Sequence, residues 1–434
     1  MRILTPLIAS LSFLAAAPVI AQSARTEQRM AAFTAADAPY GESLLERLVN
    51  QNSGTLNPEG VRAVGTMMRG ELEGLGFSVE WVDMATTGRA GHIVATHRGN
   101  ARRKRVLMIG HLDTVFEPSS PFQTYRAEGG HAVGPGVGDD KGGLVVIIGA
   151  LRAMQAAGTL NDANIMVVLT GDEERIGSSV EVARRDLIAA GQWADVALEY
   201  ENLVGDDSRQ YGTIARRSSS NWTLTTSGHT GHSSTIFSRG MGYGAIYEMA
   251  RILDSFRRDL PEDNLTYNVS VMAGGTPAAL DSDELNASGT GKTNIVPSDA
   301  VARGDLRTLT IEQGARVRAA MQAIVDANLP GTDATIRFDD GYPPMAPTDG
   351  NRALLARLNS VNRDLGLPEM AEYDPARRGA ADSGFVAPLV DTLGGLGASG
   401  NGAHADGESV NLDSLPRQAL RSAALISRIT RERR

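Results

Sequence analysis

The 434-residue chain contains no cysteine. Disulfides are therefore excluded, and any metal it binds must be held by ligands other than thiolates. If the chain is exported, its stability rests on its core and on bound metal. Aromatic residues make up only 5% of it, whereas glycine occurs 48 times, as expected of a loop-rich α/β enzyme. There is no excess of positive charge. The formal net charge is −9, so no nucleic-acid partner is expected. The acidic balance says little about the substrate, because metal-binding carboxylates contribute to it and a bound cation offsets them locally. No internal repeat is visible, and the glycine-rich stretch 394–402 lacks a Gly-Lys-Ser/Thr phosphate signature. No apolar run is long enough to span a bilayer. The nearest is 3–17, which follows Arg2 and precedes the small-residue cleavage pattern Val19-Ile20-Ala21. That pattern predicts a secretory signal peptide over 1–21, cut after Ala21, and no membrane association after cleavage.

What is present is a hydrophobic fraction of 42%, enough for a sizeable core, in a chain long enough for two domains. Leu44, Leu45, Leu48 and Val49 suggest a helix, and another fits 61–75. Strands are predicted at 78–82, 92–97, 105–109, 165–169 and 196–198, with a buried helix at 144–155. Such alternation implies a largely parallel sheet with helices on both faces. Residues 212–342 have a different rhythm. Strands at 222–226, 267–272, 300–307 and 334–338 and helices at 243–256 and 311–328 follow the β-α-β-β-α-β order of a ferredoxin-like motif. The expected organisation is a catalytic domain over 22–211 and 343–434, interrupted by an inserted α+β domain over 212–342. The resumed part carries predicted helices at 351–365 and 416–430.

Five short motifs carry the chemistry: GHLDTVF (110–116), GVGDDKGG (136–143), TGDEERIGSS (170–179), ALEYEN (197–202) and GNGAHADGES (400–409). The acidic ones follow predicted strands, where open α/β sheets place their ligand sites. His111 ends a strand, and Asp113, two residues on, can orient a metal-bound imidazole. Asp139 and Asp140 lie in a glycine-rich turn before a helix, where one carboxylate can bridge two metals or cap the helix. Glu173 and Glu174 are adjacent in a loop, so one can ligate while the other stays free as a base. Glu199 and Glu201 share a strand face, and either can be a terminal ligand. His404 lies among small residues that permit a close approach. Imidazole and carboxylate donors with a spare glutamate make the ligand chemistry of a two-zinc hydrolase. His92, His97 and His131 have no partner motif. His229 and His232 lie in SGHTGHSS, where glycine and serine argue against a helical metal pair.

The order and content of these motifs resemble the zinc aminoacylase/carboxypeptidase family of co-catalytic metallopeptidases, over about residues 40–430. The final stretch, HADGESVNLDSLPRQAL, is most similar to the bacterial glutamate carboxypeptidases that cleave folates. The resemblance implies a zinc-exopeptidase-like catalytic domain and a lid that also serves as a dimerisation domain. It implies that Asp139 bridges two zinc ions, that His111 and His404 bind one each, and that Glu174 and Glu201 are terminal ligands, Glu201 being favoured over Glu199 by counting from Asp195. It implies a non-proline cis peptide after Asp139, with Asp140 in a position often held by Met. Glu173 matches the general base and Asp113 the carboxylate that orients His111. His232 matches a lid histidine that polarises the scissile carbonyl, often across a dimer. Asn294 and Arg307 match residues that contact the substrate's terminal carboxylate. Two features depart from the pattern: Gly-Tyr-Gly-Ala stands at 242–245, and a longer loop, 276–292, precedes Asn294.

The expected activity is hydrolysis of the amide bond beside a free carboxylate in a small peptide or N-acyl amino acid. The cofactor is two zinc ions, for which cobalt or manganese are possible substitutes. The expected assembly is a homodimer, in the periplasm or secreted. Alternatives are an aminoacylase, dipeptidase or amidohydrolase acting on other N-acyl amino acids, and more remotely a non-catalytic metal- or ligand-binding protein.

Overall fold

The computed structural model describes residues 16–206 and 208–434, with side chains from residue 24 onward. The expected signal peptide, 1–21, lies outside the residues whose side chains are described. The chain divides into two compact units, one of Met1–Gly212, Asp349–Glu372 and Val390–Arg434, the other of Thr213–Thr348 and Tyr373–Leu389. Residues 373–389, which the sequence reading left in the first domain, thus cluster with the second unit.

The first unit is built on α1 (Ala16–Asn50), α2 (Pro58–Gly74), β1 (Ser78–Asp83), β2 (Gly91–His97), β3 (Arg105–His111), α3 (Lys141–Ala156), β4 (Asn164–Thr170), α4 (Val180–Trp193) and β5 (Val196–Glu199). Helices Asp349–Leu365 and Ser414–Arg431 and the short strand Thr392–Leu393 complete it. The strand order is β1-β2-β4-β3-β5, with Thr392–Leu393 beyond β5. The two pairings involving β2 are antiparallel, and the remaining three are parallel. Strands β3, β4 and β5 are buried almost throughout, which is why they read as continuous apolar runs rather than alternating ones. Their register decides where the motifs meet: His111 pairs with Thr170 and Ile109 with Glu199. The chain therefore leaves three neighbouring strands at nearly the same level.

Helix α1 is longer than its Leu44–Val49 pattern predicts. Its buried positions continue back through Thr34, Met30 and Glu27 at helical spacing. Glu27 pairs with Arg428 at 2.8 and 3.0 Å, and Asp37 grips Arg152 at 2.7 and 2.8 Å. These bonds dock α1 onto α3 and the C-terminal helix. Among the described residues, no helix is long and apolar enough to cross a membrane.

The second unit contains β6 (Ser219–Gly228), α5 (Ala245–Asp259), β7 (Val271–Gly275), β8 (Asp299–Arg307), α6 (Ile311–Asp326) and β9 (Thr332–Tyr342). Its antiparallel sheet runs β7-β8-β6-β9, the ferredoxin-like arrangement. Both helices pack over Trp222, Leu224, Ala302 and Leu306, and Trp222 meets Phe256 edge-on at 6.1 Å. The loop at 276–292 contains a short hairpin, Ala278–Leu280 with Ala287–Gly289.

Candidate metal centre

The carboxyl ends of β3, β4 and β5 bring His111, Glu173, Glu174 and Glu201 together with Asp139 and His404 from two loops. His111 Nε2 lies 3.0 Å from Asp139 Oδ1, and His404 Nε2 lies 3.2 Å from Asp139 Oδ2. One carboxylate thus faces a different imidazole with each oxygen. His404 Nε2 also lies 3.2 Å from Glu174 Oε2. Ligand atoms of His111, Asp139 and Glu174 all fall within 4.8 Å of one another, as do those of His111, Glu173 and Glu201. Glu201 belongs to such a group and Glu199 does not.

The supporting contacts explain how adjacent residues are held apart in role. Asp113 is fully buried. Its Oδ1 accepts from Glu173 N at 3.0 Å, and its Oδ2 accepts from Glu174 N at 3.1 Å and Thr55 Oγ1 at 2.6 Å. His111 Nδ1 lies 3.1 Å from the Asp113 backbone carbonyl and 3.4 Å from its carboxylate. Asp113 therefore fixes the acidic turn as well as the histidine ring. The preceding residue, Asp172, is buried and receives Arg184 Nη1 at 2.5 Å and Gly177 N at 2.9 Å. His92 Nδ1 accepts from Gly171 N, and its other ring nitrogen meets the Ala183 carbonyl, both at about hydrogen-bond length, so it ties the turn to α4.

The Asp139–Asp140 peptide is cis. Asp140 stands at the N-cap of α3 but makes no side-chain capping bond. Its Oδ2 instead accepts from His111 N at 3.1 Å. Gly143 lets the helix start closely against the Tyr200 carbonyl, where a Cβ would lie 2.1 Å from that oxygen. His404 has φ 65°, a left-handed conformation uncommon for a non-glycine residue.

Thr55, Asp172, Arg184 and Glu408 escaped sequence reasoning. Glu408 is buried, and its carboxylate accepts from Gly136 N, Gly138 N and Asp139 N at 2.8–2.9 Å. It links the loop that carries His404 to the loop that carries Asp139. The only signal was an acidic residue four positions after His404 in a stretch of small residues.

Charge in this cluster is unbalanced. Burial disfavours a charged His111, yet hydrogen bonds to Asp113 and Asp139 and the nearby Asp140 and Glu173 push its pKa well up. Hydrogen bonds to Asp139 and Glu174 push His404 up to about 10, against its partial burial. Burial would raise Asp139, but the two imidazoles hold it well below the usual carboxylate range. Burial raises Asp140 and Glu174. It also pushes Glu408 up to about 7, against its amide bonds. Two buried carboxylate oxygens, Asp140 Oδ1 and Glu174 Oε1, have no hydrogen-bond partner. An excess of buried carboxylates facing two imidazoles, with an orphaned ligand oxygen, fits divalent cations. Imidazole and carboxylate without thiolate is a donor set that suits zinc, cobalt or manganese.

The other three candidate residues belong to the second unit. Gly231–His232 pairs with Ile295–Val296, and Ser233 N donates to the Asn294 carbonyl, so His232 and Asn294 are neighbours on exposed backbone. His232 Nδ1 accepts from Ser234 N, which leaves the ring proton of the neutral form on Nε2. Arg307 closes the other end of β8, where its Nε donates to Asp305 at 3.0 Å.

A model of peptidase family M20/M25/M40 matches residues 107–428. The chain is 28% identical over 395 residues to carboxypeptidase G2 of Pseudomonas sp. (strain RS-16), covering 88% of this chain and 87% of that protein. It is 25% identical over 341 residues to succinyl-diaminopimelate desuccinylase of Xanthomonas oryzae pv. oryzae (strain MAFF 311018), covering 74% and 82% respectively. The crystal structure of aminopeptidase PepT from Bacillus cereus ATCC 10987 superposes with a TM-score of 0.70, covering 90% of this chain and 98% of that one at 20% identity, and so shares the fold. The chain belongs to peptidase family M20/M25/M40 and is a metal-dependent hydrolase of peptide or amide bonds.

Proposed function

We propose that the chain is an exported di-zinc exopeptidase that releases a C-terminal amino acid, glutamate first among the candidates, from a small peptide or N-acyl amino acid. The observation that carries this reading is Asp139, whose two oxygens face His111 and His404 separately. His111 and Glu201 would hold one ion, His404 and Glu174 the other, with Asp139 shared. When bound, such ions polarise a carbonyl and lower the pKa of a water toward about 7. Glu173 accepts the proton as the water oxygen attacks the carbonyl carbon, and returns it to the amide nitrogen as the C–N bond breaks. His232, with its proton on Nε2, donates to the carbonyl oxygen as negative charge develops there. Asn294 and Arg307 hold the terminal carboxylate, for which the planar guanidinium is suited.

A homodimer supports this division of labour. His232 and Asn294 lie near one end of β8, and Arg307 lies at the other, about 26 Å along the strand at 3.3 Å per residue. One active site then takes them from two copies. Exposed Ile246 and Tyr247 on α5, with Met272 on the edge strand β7, offer an apolar surface for the second copy. The signal-peptide pattern at 1–21 supports export, to the periplasm or beyond.

The test is a hydrolysis assay with folate or a folate analogue on metal-loaded and chelator-treated protein. Metal-dependent release of glutamate is the expected result. Bound metal with no glutamate released would favour the second reading, an aminoacylase, dipeptidase or amidohydrolase on other N-acyl amino acids. The observations favouring that reading are the Gly-Tyr-Gly-Ala sequence at 242–245 and the hairpin within 276–292.

A further inference from the structure

Residues 101–105, Ala-Arg-Arg-Lys-Arg, and residues 431–434, Arg-Glu-Arg-Arg, are two basic runs far apart in a chain of net charge −9. The first unit lays them side by side. Arg103 and Arg433 form an antiparallel bridge, Lys104 N donates to the Glu432 carbonyl at 3.1 Å, and Arg434 N donates to the Arg102 carbonyl at 3.0 Å. The Arg103 guanidinium donates to the Arg431 carbonyl. Arg98, just past the end of β2, is exposed, as are Arg102, Arg431, Arg433 and Arg434.

Carboxylates do not balance this surface. Glu432 pairs with Lys104 at 2.8 Å and with Arg357 at 2.6 Å, and Asp195 pairs with Arg434 at 3.0 Å and with Arg105 at 3.8 Å. Asp162 stands on the adjoining turn, where its carbonyl accepts from Asn100 N at 3.0 Å. Arg98, Arg102, Arg103, Arg431 and Arg433 have no ion pair among the described residues, and the Arg431 guanidinium meets only the Thr26 hydroxyl, at 3.4 Å. Like charges gathered this closely repel one another, and a polyanion relieves that repulsion. The guanidiniums are distributed along two paired segments, each a planar fork for phosphate oxygens. They therefore fit an array of phosphates rather than one small anion.

Position in the fold favours a planar array. Arg105 opens β3 and His111 closes it, so the patch and the metal centre lie at opposite ends of that strand, about 20 Å apart at 3.3 Å per residue. A flat anionic layer on the patch leaves the metal centre facing away, with its carboxylates well beyond a Debye length of about 8 Å. Single-stranded nucleic acid calls for stacking aromatics interleaved with the charges, and neither run contains one. The nearby Trp193 ring is already covered by the Arg105 guanidinium, 5.4 Å away. We infer that residues 98–105 and 431–434 form a docking surface for the phosphate headgroups of an anionic phospholipid membrane, which holds the enzyme with its metal centre turned away from the lipid. The absence of an apolar anchor, which argues against membrane association after cleavage, does not exclude reversible docking by charge. Docking concerns where the enzyme works and not what it cleaves, so it stands apart from the hydrolase reading.

The probes are vesicles of phosphatidylcholine alone and of phosphatidylcholine with one-third phosphatidylglycerol, sedimented with the metal-loaded, signal-cleaved chain. Wild type is expected to bind the anionic vesicles and not the neutral ones. It is expected to leave them in about 1 M salt, where the Debye length is about 3 Å. Arg102→Gln with Arg433→Gln is expected to weaken that binding about 25-fold, about fivefold for each charge removed, while Arg102→Lys with Arg433→Lys keeps it. Hydrolysis by the dissolved enzyme is unchanged in both. Equal binding to the two kinds of vesicle, binding that survives high salt, or no binding at all overturns the inference. So does unchanged affinity in the folded Gln variant, which would place the contact on another surface. Should that variant not fold, Arg98→Gln, outside the paired segments, decides through its own loss of about fivefold. A DNA duplex that stays bound at the salt that releases the vesicles would also overturn it, in favour of a nucleic-acid partner.

Discussion

Glu173 and Glu174 are chain neighbours with opposite surroundings. Glu174 Oε2 is 3.2 Å from His404, whereas Glu173 shares a donor group with His111 and Glu201. The Asp113 carboxylate pins both backbone amides, so the two side chains cannot trade places. Glu173→Gln preserves shape and removes the proton acceptor. Turnover is expected to fall by about 10²- to 10⁴-fold, the usual contribution of a positioned general base, with metal content unchanged by atomic emission. Activity at or above a tenth of the original would sink the assignment. Glu408→Gln tests a different role. The carboxylate meets three backbone N–H donors, and an amide turns one acceptor into another donor among them. The loop that carries Asp139 then shifts. Metal affinity, measured by competition with a chromophoric chelator, should drop by about 10- to 100-fold, as for other residues that orient ligands. A lower melting temperature with unchanged affinity would mark Glu408 as a scaffold residue only.

At the scale of elements, a buried ion pair helps α4 hold the acidic turn. Arg184 and Asp172 are fully buried and 2.5 Å apart. Arg184→Met leaves the aspartate uncompensated, and breaking such a pair costs about 3–5 kcal/mol. A large drop in melting temperature is the expected result, and a change within error would mean that Gly177 N alone satisfies Asp172. This helix also shows where sequence reading ran short. Its buried face, Ala183, Arg184, Leu187 and Ala190, mixes small residues with a charge, so no apolar stripe announces it. The same holds for α1 ahead of Leu44, where Glu27 and Thr34 occupy buried positions and Pro39 lies inside the helix. The central strands were legible because burial on both faces demands continuous apolar runs. The set His111, Asp139, Glu174, Glu201 and His404 was implied by the family resemblance of the motifs, and those of His111, Glu174 and Glu201 follow these strands while Asp139 and His404 come from loops. Glu408 was not, since its partners are backbone amides that no residue type advertises. Nor was the membership of 373–389 in the second unit. It depends on contacts distant in sequence, such as Arg216 Nη1 to the Gly379 carbonyl at 2.9 Å.

At the scale of the whole molecule, a chain of net charge −9 concentrates carboxylates around two histidines, and this couples metal, protons and stability. In the metal-free protein the carboxylates raise both imidazoles, His404 to about 10. A histidine whose folded pKa lies above its ordinary value of 6.5 stabilises the fold fully below that value. The contribution is lost as pH rises toward about 10. Metal binding requires both rings to be neutral, so loading at pH 7.5 must release protons, about two per site. The stabilising proton–carboxylate pairs exist only in the metal-free form. Its melting temperature should therefore fall between pH 6.5 and 9, while that of the metal-loaded form does not share the loss. The gap between the two, followed by scanning calorimetry, is expected to widen as pH rises. Titration calorimetry in buffers of different ionisation enthalpy counts the released protons directly. A gap that narrows with rising pH, or uptake of metal without proton release, would mean that His111 and His404 are not displaced by the ions and that the donor set lies elsewhere.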